Sequence, residues 1–168
     1  MSRIYLVHPQ VPAGLVAAFY KGNRDGFGGI TSRLGRMLDH GPYSHSELIL
    51  PSGLSWSASL PDKGVRAKPI GYSSPHKWDF LPIPDPTGAI AFEAEQWYLA
   101  HDGEPYDVWG NVRFLTNFVS HSADKWFCSE SNMAALGYPE PWRYGPSGMA
   151  VTLQHEFKTQ MTIGSACA

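Results

Sequence analysis

The chain has 168 residues, of which 43% are apolar, and this predicts a single domain, residues 1–168, with one sizeable core. Its formal net charge of -2, with acidic and basic residues mixed along the chain, argues against a surface for nucleic acid or an anionic membrane. Two cysteines without a CxxC motif or a His/Cys cluster exclude a disulfide framework and indicate neither a metal site nor a cofactor.

The first residues lack the features of a targeting segment. The apolar run over residues 4–7 is ended by His8 and Pro9, and no stretch reaches the roughly 18 apolar residues of a spanning helix. We therefore expect a cytoplasmic protein without a membrane span. Action outside the cytoplasm would then require delivery by other machinery, such as that of a phage or a secretion system.

The first quarter of the chain predicts a strand over residues 4–7 and a helix over residues 13–20. A glycine-rich loop follows over residues 22–29, and because no Gly-Lys-Ser/Thr comes after it, we interpret it as a surface loop and not as a phosphate cradle. Apolar residues at i, i+4, i+7 and i+8 predict a second short helix over residues 30–38.

Residues 44–59 predict a β-hairpin. The sequence alternates over residues 44–50, and Pro51-Ser52-Gly53 is a turn signal in which Gly53 supplies the positive φ of a three-residue loop. This register sets Leu48 opposite Trp56 and gathers the apolar side chains of both strands on one face.

The other face of this hairpin would carry a polar patch. In the same register His45 lies opposite Ser59 and Glu47 lies opposite Ser57, so an imidazole, a carboxylate and two hydroxyls share one side.

Further strands and helices complete an α+β fold with a central antiparallel β-sheet. Residues 64–66 and 77–83 predict strands that extend the hairpin. The remaining apolar stripes and stop signals predict helices that start at residue 86 and cover residues 108–119, 127–136 and 147–157.

Cys128 opens the helix predicted over residues 127–136. A free cysteine is commonly an ordinary buried side chain. At a helix N-terminus, however, the backbone N–H groups and the helix dipole favour the thiolate, and a nearby histidinium favours it further. Glu130 opposes this effect unless it points away or caps the helix.

His45 is the candidate base, because among the seven histidines it alone lies inside a well-defined strand, where its ring can be aimed at a partner. Glu47 is one candidate orienter, but it is about 7 Å further along the strand, so a direct hydrogen bond is not assured. The hydroxyls of Ser57 and Ser59 are the other candidates, because residues on the facing strand lie closer to the ring than a residue two positions along the same strand.

Four segments carry a family resemblance in their order along the chain. They are Tyr43-Ser44-His45-Ser46-Glu47-Leu48, Trp56-Ser57-Ala58 with Gly64-Val65, Tyr106-Asp107-Val108-Trp109-Gly110, and Phe127-Cys128-Ser129-Glu130. Together they resemble the circularly permuted branch of the NlpC-type papain-like cysteine peptidases and acyltransferases, which includes lecithin retinol acyltransferase-like proteins. The resemblance covers roughly residues 30–157.

This resemblance implies an antiparallel sheet packed against the helix that carries the nucleophile, with Cys128 as nucleophile and His45 as general base. Ser57 occupies the third position, where many relatives carry a carboxylate or a second histidine. Tyr43 and Tyr106 are candidate substrate-binding or oxyanion residues, and both are equally consistent with half-buried structural aromatics.

The predicted function is therefore a cysteine-dependent hydrolase or acyltransferase, such as a thiol protease or amidase, acting on a peptide, amide or acyl-ester substrate. The serine at the third position supports an alternative, a non-catalytic binding or assembly module that keeps the fold. The sequence leaves the oligomeric state open.

Overall fold

The computed structural model describes residues 13–22, 41–69, 71–72, 74–107, 125–158 and 162–163. The strand predicted over residues 4–7, the helices predicted over residues 30–38 and 108–119, and most of the loop over residues 22–29 lie outside this part of the chain.

The described residues form an α+β structure, which confirms the coarse fold class. Its antiparallel sheet has five strands and a two-residue sixth, in the order β4-β3-β2-β1-β5-β6. Their bounds are β1 Val16–Tyr20, β2 His45–Ile49, β3 Leu54–Ser59, β4 Gly64–Pro69, β5 Trp78–Pro82 and β6 Thr162–Ile163.

The helix predicted over residues 13–20 is wrong, because residues 16–20 form β1, which lies between β2 and β5 in the sheet. Both faces of β1 are covered: Ala17 and Phe19 belong to the larger core, and Val16 and Ala18 to a smaller core on the opposite face. A strand buried on both faces reads as a continuous apolar run without alternation, so its periodicity does not distinguish it from a buried helix.

The predicted hairpin is confirmed, with Leu48 opposite Trp56 and Gly53 at φ +80°. Within it, the β2–β3 ladder covers Leu48–Trp56 and Ile49–Ser55 only. The predicted Glu47–Ser57 and His45–Ser59 pairs are not part of this ladder.

The two strands separate because each follows a different neighbour towards that end. β2 pairs with β1 along its whole length, to Tyr20 opposite His45, and β3 pairs with β4 as far as Ser59 opposite Gly64. The sheet therefore has an open end between the start of β2 and the end of β3.

Three helices are described: α1 Ala89–His101, α2 Cys128–Ala135 and α3 Pro146–Phe157. All three contribute to the larger core, on one face of the sheet. The smaller core, on the other face, contains Ile49, Tyr72 and Phe80. α2 and α3 match their predicted bounds to within one residue, whereas α1 begins a few residues after the predicted start, where Asp85 accepts the backbone N–H of Ala91.

Within the described ranges, no helix is long and apolar enough to cross a membrane.

Candidate active site

His45 is the first residue of β2 and is 4% exposed. Its Nε2 lies 3.3 Å from Oε1 of Glu47. The two residues are separated by two positions along the strand, and the glutamate side chain is long enough to span that distance. A carboxylate at Nε2 favours the tautomer with its proton there, which leaves the Nδ1 lone pair as the basic site. The pair therefore has the polarity that a general base requires.

Glu47 is held by three further groups besides His45. Ser55 Oγ donates to Oε2 at 2.5 Å, Tyr72 OH donates to the same oxygen at 3.0 Å, and Arg66 Nη2 donates to Oε1 at 2.6 Å. Because every contact supplies a hydrogen-bond donor, this carboxylate is fixed in place as an anion.

In this cluster, the charged and hydrogen-bonding neighbours lower the pKa of Glu47 by more than burial raises it. Burial by itself raises the pKa of Glu47, but the hydrogen bond and charge of His45, followed by Arg66 and Ser55, bring the pKa well below its ordinary value. Burial, and then the charge of Glu47, raises the pKa of Tyr72 well above its ordinary value. Tyr72 therefore stays a neutral donor and Glu47 stays charged.

The two candidate serines make other contacts. Ser57 Oγ donates to the backbone oxygens of Ser46 at 2.8 Å and Ala58 at 3.1 Å. Ser59 lies beside the carboxylate of Asp62 and helps to lower its pKa. Among the candidate orienters, Glu47 is thus the residue that the structure brings into hydrogen-bonding contact with His45.

Cys128 begins α2 and is 5% exposed. One stripe of this helix, at positions i, i+3 and i+4, faces the sheet: Ser131 Oγ accepts the backbone N–H of Ala58 at 3.1 Å, and Asn132 Nδ2 donates to Ser46 Oγ at 2.9 Å. Cys128 belongs to that stripe, one helical turn or about 5.4 Å before these contacts.

Glu130, whose charge would oppose a Cys128 thiolate unless it caps the helix, does cap the helix. Glu130 is fully buried, and its Oε2 accepts the backbone N–H of Phe127 at 3.3 Å, so this carboxylate caps the helix. Ser129, the residue after Cys128, donates to the carbonyl of Tyr144 at 2.7 Å. This bond connects the first turn of α2 to the segment before α3.

α2, which carries the thiol, and the imidazole of His45 lie on opposite faces of β2. Ser46 faces α2, so the alternation of the strand directs His45 to the other side, where Glu47 also lies. His45 is nevertheless the first residue of β2, at the open end of the sheet. A proton transfer between the two side chains would therefore have to pass around this strand end.

The two candidate tyrosines have structural contacts. Tyr43 donates its hydroxyl to Asp79 at 2.8 Å and lies against the ring of Phe19; burial, and then Asp79, raises its pKa well above the ordinary value. Tyr106 is half-buried and forms a parallel bridge with Trp126, two residues before Cys128.

Sequence reasoning missed Ser55, Arg66 and Tyr72. Arg66 lies opposite Ser57 in the β3–β4 pairing, so extending the predicted hairpin register to the next strand would have placed it on the face of Glu47. Tyr72 follows β4 in an irregular segment, and no periodicity marks its direction.

In the described part of the chain, no group of three or more His, Cys, Asp or Glu side chains could hold a metal ion. A scan against models of protein families and a search of curated proteins both find no match for this chain.

Proposed function

We propose that this protein is a cysteine-dependent hydrolase or acyltransferase of the permuted papain-like type, acting on an amide or ester bond through a thioester. The observation that carries the proposal is the buried His45–Glu47 pair, in which a carboxylate held by three other donors fixes one imidazole nitrogen. The location of Cys128 at a helix start that faces the sheet supports it further.

Each group has one role in the first half of the reaction. His45 Nδ1 takes the proton of the Cys128 thiol, and the thiolate attacks the substrate carbonyl carbon. The carbonyl oxygen becomes an oxyanion, which backbone N–H groups at the start of α2 would stabilise by about 3 kcal/mol per donor. The bond to the leaving amine or alcohol then breaks, that group takes the proton from His45, and the acyl group stays on sulfur as a thioester.

The second half regenerates the thiol. His45 removes a proton from water or from an acceptor hydroxyl or amine, the resulting nucleophile attacks the thioester carbon, and the carbon–sulfur bond breaks. The protonated imidazole returns its proton to the departing thiolate. Water gives hydrolysis and another acceptor gives acyl transfer.

Glu47 supplies the third group of the triad in this proposal. Its carboxylate keeps the imidazole oriented and stabilises the imidazolium that forms in each half-reaction. The serine at position 57, which favoured a non-catalytic module, is offset by this neighbouring carboxylate.

The test is the pH dependence of thiol labelling. With Cys167 replaced by alanine, the rate of iodoacetamide labelling of Cys128 should reach half its maximum within the broad range of about pH 3.5 to 7.5 seen for activated thiols. In His45→Ala the midpoint should move towards about pH 8.5, the ordinary thiol value. The midpoint is compared and not the rate, because burial slows the reagent at every pH.

Matched variants separate the roles of the neighbours. Glu47→Gln should shift the midpoint in the same direction as His45→Ala, whereas Ser57→Ala, Ser59→Ala and the exposed-histidine control His155→Ala should leave it unchanged. A midpoint near pH 8.5 that does not respond to His45→Ala would contradict the catalytic proposal and favour the binding or assembly module.

A further inference from the structure

A cavity of about 400 Å³ opens on the sheet face that carries His45 and Glu47. Glu47 itself lines this cavity, so the residue that orients the proposed base also forms part of the cavity wall. Its volume falls in the range of small-molecule sites, roughly 300 to 1,000 Å³.

One side of the cavity is rich in hydrogen-bond donors. Arg66 and Lys68 supply these donors. Arg66 Nε donates to Asp62 at 2.9 Å, and Lys68 Nζ donates to both oxygens of Asp62, at 2.6 and 2.7 Å. A guanidinium has five N–H groups and an ammonium three. The contacts described for Arg66 use three of its groups, on Glu47, Asp62 and the Ser55 carbonyl, so donors remain for a ligand while the carboxylate oxygens are already engaged.

The other side of the cavity is aromatic. Trp78 lies 5.0 Å from the ring of Tyr20 and 4.5 Å from the ring of Tyr72, measured between ring centroids, and all three residues line the cavity. Such a wall favours a flat ring stacked against it or set edge-on to it.

We infer that this cavity binds the part of the substrate that carries an aromatic ring next to carbonyl or carboxylate oxygens, with the ring against Trp78 and the oxygens towards Arg66 and Lys68. This inference rests on the proposed function, and the link between the two is Glu47, which lines the cavity and contacts the proposed base. A long alkyl chain fits poorly, because it would remove two carboxylates and two cations from water without offering them hydrogen bonds. The ring and its oxygens come from a residue within a peptide or from a free aromatic acid.

The experiment measures binding without turnover, in a Cys128→Ala chain. N-acetylphenylalaninamide, N-acetylphenylalanine and dodecanoate are titrated while the indole N–H signals are followed by NMR, and Trp78→Leu identifies the signal of Trp78. Both phenylalanine derivatives should shift the Trp78 signal with saturation, and dodecanoate should not. Equal affinity for the amide and the acid indicates an internal peptide residue, and preference for the acid indicates a terminal residue or a free acid.

Two exposed lysines and the partly buried Trp78 provide the matched variants. Lys68→Ala should weaken binding of N-acetylphenylalanine about two- to fivefold, as expected for one exposed charge contact. Lys125→Ala, a lysine outside the cavity, should change nothing. Trp78→Leu should weaken binding of both derivatives about tenfold or more.

Two results would overturn the inference. One is the absence of a saturable Trp78 shift with either derivative, and the other is tighter binding of dodecanoate at the same residues. Neither result depends on thiol reactivity, so failure of this inference leaves the labelling test of the proposed function intact. Conversely, an unreactive Cys128 in a chain that binds the probes would reject the proposed catalytic function and leave the binding site.

Discussion

Glu47 connects the chemistry of this protein to its stability. Its carboxylate contacts an imidazole, a guanidinium and two hydroxyls while remaining buried. Burial raises its pKa, but His45, Arg66 and Ser55 bring it below the ordinary value. A group whose pKa is lower in the folded than in the unfolded state contributes stability above its unfolded pKa of about 4.3. That contribution is lost as the pH falls from there towards the folded pKa.

Replacing Glu47 by glutamine should therefore have a pH-dependent effect. At pH 7, Glu47→Gln should lower the free energy of unfolding by about 3 kcal/mol, because the partly buried Arg66 loses its closest counter-charge. Below about pH 4.3 the variant should lose stability less steeply than the parent chain. Urea unfolding at a series of pH values measures both effects.

The exposed Glu93→Gln on α1 is the control and should follow the parent curve. If Glu47→Gln followed the parent curve as well, the lowered pKa of Glu47 would be refuted.

At the scale of elements, the nucleophile helix is held to the sheet by polar contacts as well as apolar ones. Asn132 is fully buried and lies between two partners: its Oδ1 accepts the hydroxyl of Tyr98 at 2.5 Å, and its Nδ2 donates to Ser46. These bonds join α1, α2 and β2 at one point. Directional contacts of this kind set the register of a helix more narrowly than apolar packing does.

Asn132→Ala should lower the free energy of unfolding by about 2 kcal/mol or more, because it leaves the buried hydroxyls of Tyr98 and Ser46 without this partner. Thermal and urea unfolding provide the measurement. Gln96→Ala, on the exposed face of α1, should change stability by less than about 0.5 kcal/mol. Equal stability of the two variants would show that Asn132 does not hold α2.

At the scale of the whole molecule, a close contact ties the edge of the sheet to the segment that pairs with the start of α2. Gly64 in β4 packs against residue 104, where a Cβ on Gly64 would come within 2.2 Å of the Glu104 carbonyl oxygen. The backbone of Val65 bonds the same carbonyl, and Tyr106 forms its bridge with Trp126 just before the nucleophile. The sheet edge thereby helps to determine where α2 begins.

Gly64→Ala should destabilise the protein by about 2 to 3 kcal/mol, since the obstructing atom belongs to the backbone and must move. Gly71→Ala is the matched control, because the nearest atom to its Cβ is at 3.9 Å, and it should stay within about 1 kcal/mol of the parent chain. Calorimetry of the two variants distinguishes a specific steric effect from a general loss of glycine. Similar melting temperatures for both would contradict the contact.

The sequence by itself determined the hairpin, the approximate bounds of α2 and α3 and the face that His45 shares with Glu47, because these features depend on local periodicity and on turn residues. It did not determine β1, whose apolar run lacks a period, since the sheet buries both of its faces.

Tertiary structure decided which neighbours Glu47 has. Ser55, Arg66 and Tyr72 come to one carboxylate from two strands and an irregular segment, and the open end of the sheet arises only because β2 and β3 follow different partners. Contacts between residues far apart in sequence depend on how the strands are ordered and where they separate, and neither is encoded by the period of any one segment.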